Sequence, residues 1–328
     1  MYRALVFAGV VLTFVVIVAG AYVRLEDAGL GCPDWPGCYG QLLGVPDEVA
    51  EQTYPGAPLD KARAWKEMFH RYLAGTLGVL ILAIAVMAWR SRREIGRSPR
   101  LATLLVAVVA FQATLGMWTV TLLLKPAIVV LHLLGGMATL TLMTWLALRE
   151  VDPPAASPEA ARALRPWAAL GLAVVAAQIA LGGWVSANYA ALACPDFPAC
   201  HGRWLPDMNF ADAFHVLREL GVTAAGAPLS QDALVAIHWT HRVGALVTIL
   251  YLGALATAAL RVPALALCGG LLLALLAAQA ALGIANVLAR LPLALAVAHN
   301  GGAALLLVAL VMLNFAVFQR SPAETATR

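Results

Sequence analysis

Residues 32–38 read Cys32-Pro33-Asp34-Trp35-Pro36-Gly37-Cys38, and residues 194–200 read Cys194-Pro195-Asp196-Phe197-Pro198-Ala199-Cys200, an offset of 162. A match that keeps both cysteines, both prolines and the aspartate is the mark of an internal duplication. The repeat runs beyond these loops. Gln112-Ala-Thr-Leu-Gly116 answers to Gln279-Ala-Ala-Leu-Gly283 and His132 to His299, both at an offset of 167, while His70-Arg71 answers to His241-Arg242 at 171. The chain therefore reads as two units separated by small insertions, one over 1–150 and one over 151–328.

Hydropathy says what each unit contains. Of the 328 residues, 62% are hydrophobic and 12% charged, too few polar groups to coat a soluble fold of this size. Apolar runs of about 20 residues, long enough to span roughly 30 Å of hydrocarbon, fall at 4–23, 67–89, 101–124, 127–148, 167–188, 233–258, 264–288 and 294–318. The fold class expected is an all-α membrane protein: eight transmembrane helices arranged as two pseudo-symmetric four-helix bundles with two outer loops. The first run follows a short basic start, Met1-Tyr2-Arg3, as a signal peptide does. Its length, and the recurrence of its C-terminal end in the fifth run, favour a retained span.

Short loops rich in arginine set the orientation. The 90–100 loop holds five arginines in eleven residues, and Arg149, Arg162 and Arg165 mark the 149–166 loop. These loops, and both termini with them, are expected on the cytoplasmic side of a bacterial plasma membrane, with long segments near 25–66 and 189–232 outside. The net charge of +4 reports this topology and points to the lipid bilayer, with no nucleic acid as partner. Each unit has an even number of spans, so the two share one orientation about a pseudo-twofold axis along the membrane normal.

His70, His132, His241 and His299 all stand near the start of an even-numbered run, which enters from outside, so all four are expected in the outer half of the membrane. Each unit supplies one histidine from its second helix and one from its fourth. Two imidazoles on opposite faces of one iron make a six-coordinate haem, and the four histidines read as two such sites. The competing reading, an intramembrane histidine bonded to a neighbouring helix, accounts less well for four at repeat-equivalent depth. Zinc would need further ligands that the sequence does not offer as a set. His201 and His215 fall among polar loop residues and read as solvated. His238 shares a helix face with His241 and reads as an alternative ligand or a pocket wall.

The halves differ where it matters. Glu67-Met-Phe-His70-Arg71 stands against His238-Trp-Thr-His241-Arg242, so one unit alone has a carboxylate three residues before its histidine. That spacing puts Glu67 and His70 on one helix face, and an ionisable group in a membrane segment defaults to a functional reading. Arg71 and Arg242 read either as donors to haem propionates or as interfacial arginines reaching outward. Cys32–Cys38 and Cys194–Cys200, on the oxidising side, read as disulfides. Each is a staple over the bundle or a redox pair, and the redox reading is stronger for the pair that shares a half with Glu67. Cys268 reads as a small core residue.

Taken together, Glu67-x-x-His70-Arg71, His132, His241-Arg242, His299 and the two Cys-Pro-Asp-aromatic-Pro-x-Cys loops resemble the eight-helix haem A synthases over nearly the whole chain. The resemblance implies oxidation of the C8 methyl group of haem O to a formyl group, giving haem A for terminal oxidases. It further implies substrate haem at His70 and His132, haem b at His241 and His299, and Glu67 serving the reacting methyl group. A haem O synthase and an electron-transfer protein are the partners it suggests. The rival from another class is a non-enzymatic di-haem cytochrome b; two haems at one depth would leave it no inner station for a transmembrane electron path. A haem carrier would release its haem unaltered, and a prenyltransferase would need Asp-rich helices for Mg²⁺.

Overall fold

A computed structural model describes residues 1–48, 53–92, 98–151 and 156–319. Eight of its helices are long and apolar enough to cross a membrane: α1 Tyr2–Leu25, α2 Lys61–Arg90, α3 Arg100–Thr121, α4 Pro126–Arg149, α5 Pro158–Ala187, α6 Gln231–Leu260, α7 Ala266–Leu288 and α8 Leu293–Phe318. No strand occurs among the described residues, so the protein is an all-helical integral membrane protein. Arg93 and Arg97, two of the arginines used to orient the chain, lie outside the described residues.

Helix starts follow the usual side-chain chemistry. The Asp60 carboxylate accepts from the amides of Ala62 and Arg63 at 3.0 and 3.1 Å, capping α2, and Ser157 and Ser230 cap α5 and α6. Such caps satisfy amides that have no partner within the helix. They also carry α2 and α5 beyond the apolar runs, by six and nine residues relative to 67 and 167, because polar first turns such as Pro158–Arg165 continue the helix where hydropathy has already fallen.

Within the first half α1 packs on α2 and α4, and α3 on α2 and α4; within the second, α5 packs on α6 and α8, and α7 on α6 and α8. The seam is formed by α1 with α8, α4 with α5, and α4 with α8. Both rings have the same order of neighbours, an arrangement compatible with two four-helix units. In the first, Val6, Ile81, Ile84, Leu105 and Met143 form the core; in the second, Leu252, Leu272, Leu307 and Leu310 do so. Helix α8 packs on neighbours in both halves and is the most buried span.

The duplication reaches loop detail. Asp34 accepts from the amides of Tyr39 and Gly40 at 2.6 and 2.8 Å, and Asp196 from those of His201 and Gly202 at 2.7 and 2.8 Å. Tyr39 and His201 both have positive φ, 51° and 52°, and the turns after α3 and α7 repeat the device at Leu123-Leu124 and Arg290-Leu291. At the seam two equivalent positions touch each other. Arg24 donates to the carbonyl of Ser186 at 2.7 Å and Tyr189 to Asp27 at 2.8 Å, each pair 162 residues apart. Contact between equivalents places these residues beside the pseudo-twofold axis.

Candidate functional site

Each of the four repeated histidines lies against a glycine on the preceding helix. His70 of α2 meets Gly20 of α1, His132 of α4 meets Gly116 of α3, His241 of α6 meets Gly182 of α5, and His299 of α8 meets Gly283 of α7. A Cβ at those glycines would stand 2.9, 3.4, 3.1 and 3.1 Å from the ring Cε1. The glycines thus open slots that seat the imidazoles between helices. Glutamines one turn earlier fix the pairs of helices in register. The amide of Gln112 donates to the carbonyl of His132 at 2.8 Å, that of Gln178 to His241 at 3.1 Å, and that of Gln279 to His299 at 2.9 Å.

Within each half the two histidines lie within electrostatic reach of each other, His132 of His70, and His299, with His238, of His241. All four residues are half-buried, and the Nδ1 atoms of His70, His132 and His299 are buried without a hydrogen-bond partner. Orphaned polar atoms are uncommon in finished interiors and point to a group the chain does not itself supply. Among the described residues no cluster of three or more His, Cys, Asp or Glu could hold a metal ion. Zinc is therefore a poor fit. Paired imidazoles suit an iron whose four equatorial ligands come from a porphyrin.

Glu67 is 4% exposed. One carboxylate oxygen accepts from the backbone amide of Cys32 at 2.9 Å and the other pairs with the Arg71 guanidinium. Arg71 also donates to the carbonyls of Asp34, at 2.9 Å, Pro36 and Gly37. Arg242 donates to Ala199 and Cys194 carbonyls at 2.8 and 2.9 Å. Both arginines therefore clasp their cysteine loops from below. His238, at the position of Glu67, is buried, with its Nδ1 3.0 Å from the Ala190 carbonyl. Cys32–Cys38 and Cys194–Cys200 are bridged, with Cα separations of 4.9 and 4.8 Å, ordinary for a disulfide. Cys268 is free and buried. His201 and His215 are exposed, although the His201 ring is also tied to the Ala193 carbonyl at 2.8 Å.

In the sequence Gln112, Gly116, Gln279 and Gly283 mark the repeat; in the fold they support the histidines. The same Gln-x-x-x-Gly spacing at Gln178–Gly182 was the available signal. Arg24 carries no motif that marks it in the sequence. It stacks over Tyr189, 4.2 Å from the ring centroid, and has a buried, unpartnered Nε.

Eight membrane-length helices, paired imidazoles seated on glycines and two stapled loops define a duplicated membrane protein arranged around two histidine pairs. The profile of the cytochrome oxidase assembly protein family matches residues 3–311, and the chain belongs to that family. It is 42% identical over 320 residues to a haem A synthase of Shewanella oneidensis, covering 95% of both chains. It is 32% identical to one of Halalkalibacterium halodurans over 70% of this chain and 72% of that one. A third, from Shouchella clausii, is 30% identical over 83% and 82%.

Proposed function

We propose that this protein is a haem A synthase, an oxidoreductase that converts the C8 methyl group of haem O to the formyl group of haem A. The observation that carries the reading is an asymmetry between the two halves of a duplicated site. Histidine pairs recur in both halves, but only the first half sets a carboxylate, Glu67, one turn before its ligand. On this reading His70 and His132 hold haem O, and His241 and His299 hold haem b. Haem b, when bound, supplies one-electron redox chemistry. The chain's own contribution is positional. Glycine slots aim the imidazoles, and Arg71 together with the Cys32 amide fixes the Glu67 carboxylate on the helix face of His70, where it serves the reacting methyl as base or cation stabiliser.

Arg71 and Arg242 act on the haems through the loops they clasp, closing the outer end of each site against water. The Arg242 Nε, buried and unpartnered, is the donor left for a propionate. The long loops face outward and the termini the cytoplasm, as the arginine-rich loops indicate. A haem O synthase as the source of substrate and an electron-transfer protein as redox partner complete the reading.

The test is expression in a membrane that accumulates haem O, followed by extraction and mass analysis of the haems. Haem A is expected. With a suitable electron partner supplied, absence of both haem A and hydroxylated haem O refutes the proposal and leaves the di-haem electron carrier.

A further inference from the structure

The four histidine sites share one construction, from which one departs. Three odd helices carry Gln-x-x-x-Gly, at Gln112–Gly116, Gln178–Gly182 and Gln279–Gly283, and the helices they support carry His-x-x-Gly, at His132–Gly135, His241–Gly244 and His299–Gly302. The second glycine houses the glutamine. A Cβ on Gly135 would stand 2.6 Å from Gln112 Oε1, and one on Gly244 or Gly302 would collide with Gln178 or Gln279. From that seat each amide bonds the histidine carbonyl, and those of Gln178 and Gln279 also lie 3.0 and 3.5 Å from a ring nitrogen of His241 and His299. Each glutamine Oε1 is buried and unpartnered, turned toward the housing glycine.

At the fourth site Gly20 still seats the ring of His70, but Val16 stands where glutamine would be and Leu73 where the housing glycine would be. Both members of the pair differ together. His70 receives no glutamine amide from α1, and its Nδ1, like those of His132 and His299, is buried without a partner.

Groups that orient a ligating histidine are worth about 10–100-fold in affinity. We propose that His70 is the releasable ligand of the N-terminal site, and that Gln112, Gln178 and Gln279 are positioning residues that make the other three imidazoles permanent. The inference rests on the two-haem reading above. A substrate haem must leave after each turnover while a resident haem must stay. One anchored and one unanchored imidazole, His132 and His70, meet the first need; two anchored imidazoles, His241 and His299, meet the second.

The full chain in lipid nanodiscs, loaded with haem O, would be mixed with excess apomyoglobin and haem loss followed optically. Two phases are expected, the fast one from the N-terminal site. Val16→Gln with Leu73→Gly installs the missing pair and should slow the fast phase about 10–100-fold without changing the slow one. Gln178→Val, a milder change, should quicken the slow phase by a similar factor. Two equally slow phases in the wild type, an unchanged fast phase in the first variant, or an unchanged slow phase in the second each overturns the inference. A wild-type chain that takes up no haem overturns the function reading instead.

Discussion

Replacing Glu67 by Gln removes a charge and changes little else, so it separates what the carboxylate does for the loop from what it does for chemistry. Glu67 holds the Cys32 amide at 2.9 Å and pairs with Arg71, with side-chain exposures of 6% and 12% for the two partners. A glutamine still accepts from Cys32. What is lost is charge assistance in the Cys32 bond and the whole of the Arg71 bond, because the amide nitrogen in the other position is itself a donor; such a bond is worth about 1.5–3 kcal/mol when charged against about 0.5–1.5 when neutral. Arg71 keeps three loop carbonyls, which offsets part of the cost and leaves a net loss of about 1–2 kcal/mol in holding the loop. Local opening should then rise roughly 5–30-fold. The assay is reduction of Cys32–Cys38 by an impermeant thiol, read by mass after alkylation, with Cys194–Cys200 in the same molecule as internal control. The first bridge should be reduced roughly 5–30-fold faster and the second at its original rate. Equal acceleration of both, or of neither, refutes the assignment of Glu67 as the loop's anchor. In the same variant haem b should remain bound while haem A production fails; haem A at the wild-type level would remove Glu67 from the chemistry.

Three further outcomes are expected. His241→Ala and His299→Ala should abolish the low-spin spectrum of retained haem b, whereas His238→Ala should preserve it, since that ring is spent on the Ala190 carbonyl; an unchanged spectrum in both ligand variants contradicts the assignment. Gly283→Ala places a Cβ 3.1 Å from the His299 ring and should lower haem b content with the fold intact by circular dichroism, while full haem content would show that the slot is not needed. The Asp196 carboxyl is held below its usual range by the amide of Gly202 and then that of His201. A depressed folded pKa means that the bonded loop is fully favoured above the ordinary carboxylate range and loses that support as pH falls through the lowered value. Asp196→Asn should flatten the acid dependence of Cys194–Cys200 reduction, and an unaltered pH profile would rule the carboxylate out as its source.

The eight spans and the duplication were legible because both rest on local pattern, hydropathy over about 20 residues and a seven-residue echo. Helix ends were less so. The 101–124 run closes as a helix at Thr121 because the backbone turns at Leu123 and Leu124, both with positive φ, and hydropathy does not register that. The four histidines stand out in the sequence by their repeat, but the glycines and glutamines around them make contacts between helices some 20 to 60 residues apart, which no local window contains. Arg71 and Arg242 were noticed for their neighbours in sequence, while the structure spends them on loop carbonyls 34 to 48 residues away.

The seam at Arg24 and Ser186 bears on ancestry. In a symmetric pair of separate, identical chains, a residue beside the twofold axis meets its own copy. Arg24 would then confront a second arginine, and Asp27 a second aspartate, two like-charge clashes at the heart of the interface. Tandem fusion frees each copy to mutate alone, so a self-facing position can become an arginine against a small residue, and an acid against a tyrosine hydroxyl. The same freedom lets one half carry Glu67 and the other His238. Joining both halves in one chain thus lets a symmetric scaffold divide its labour.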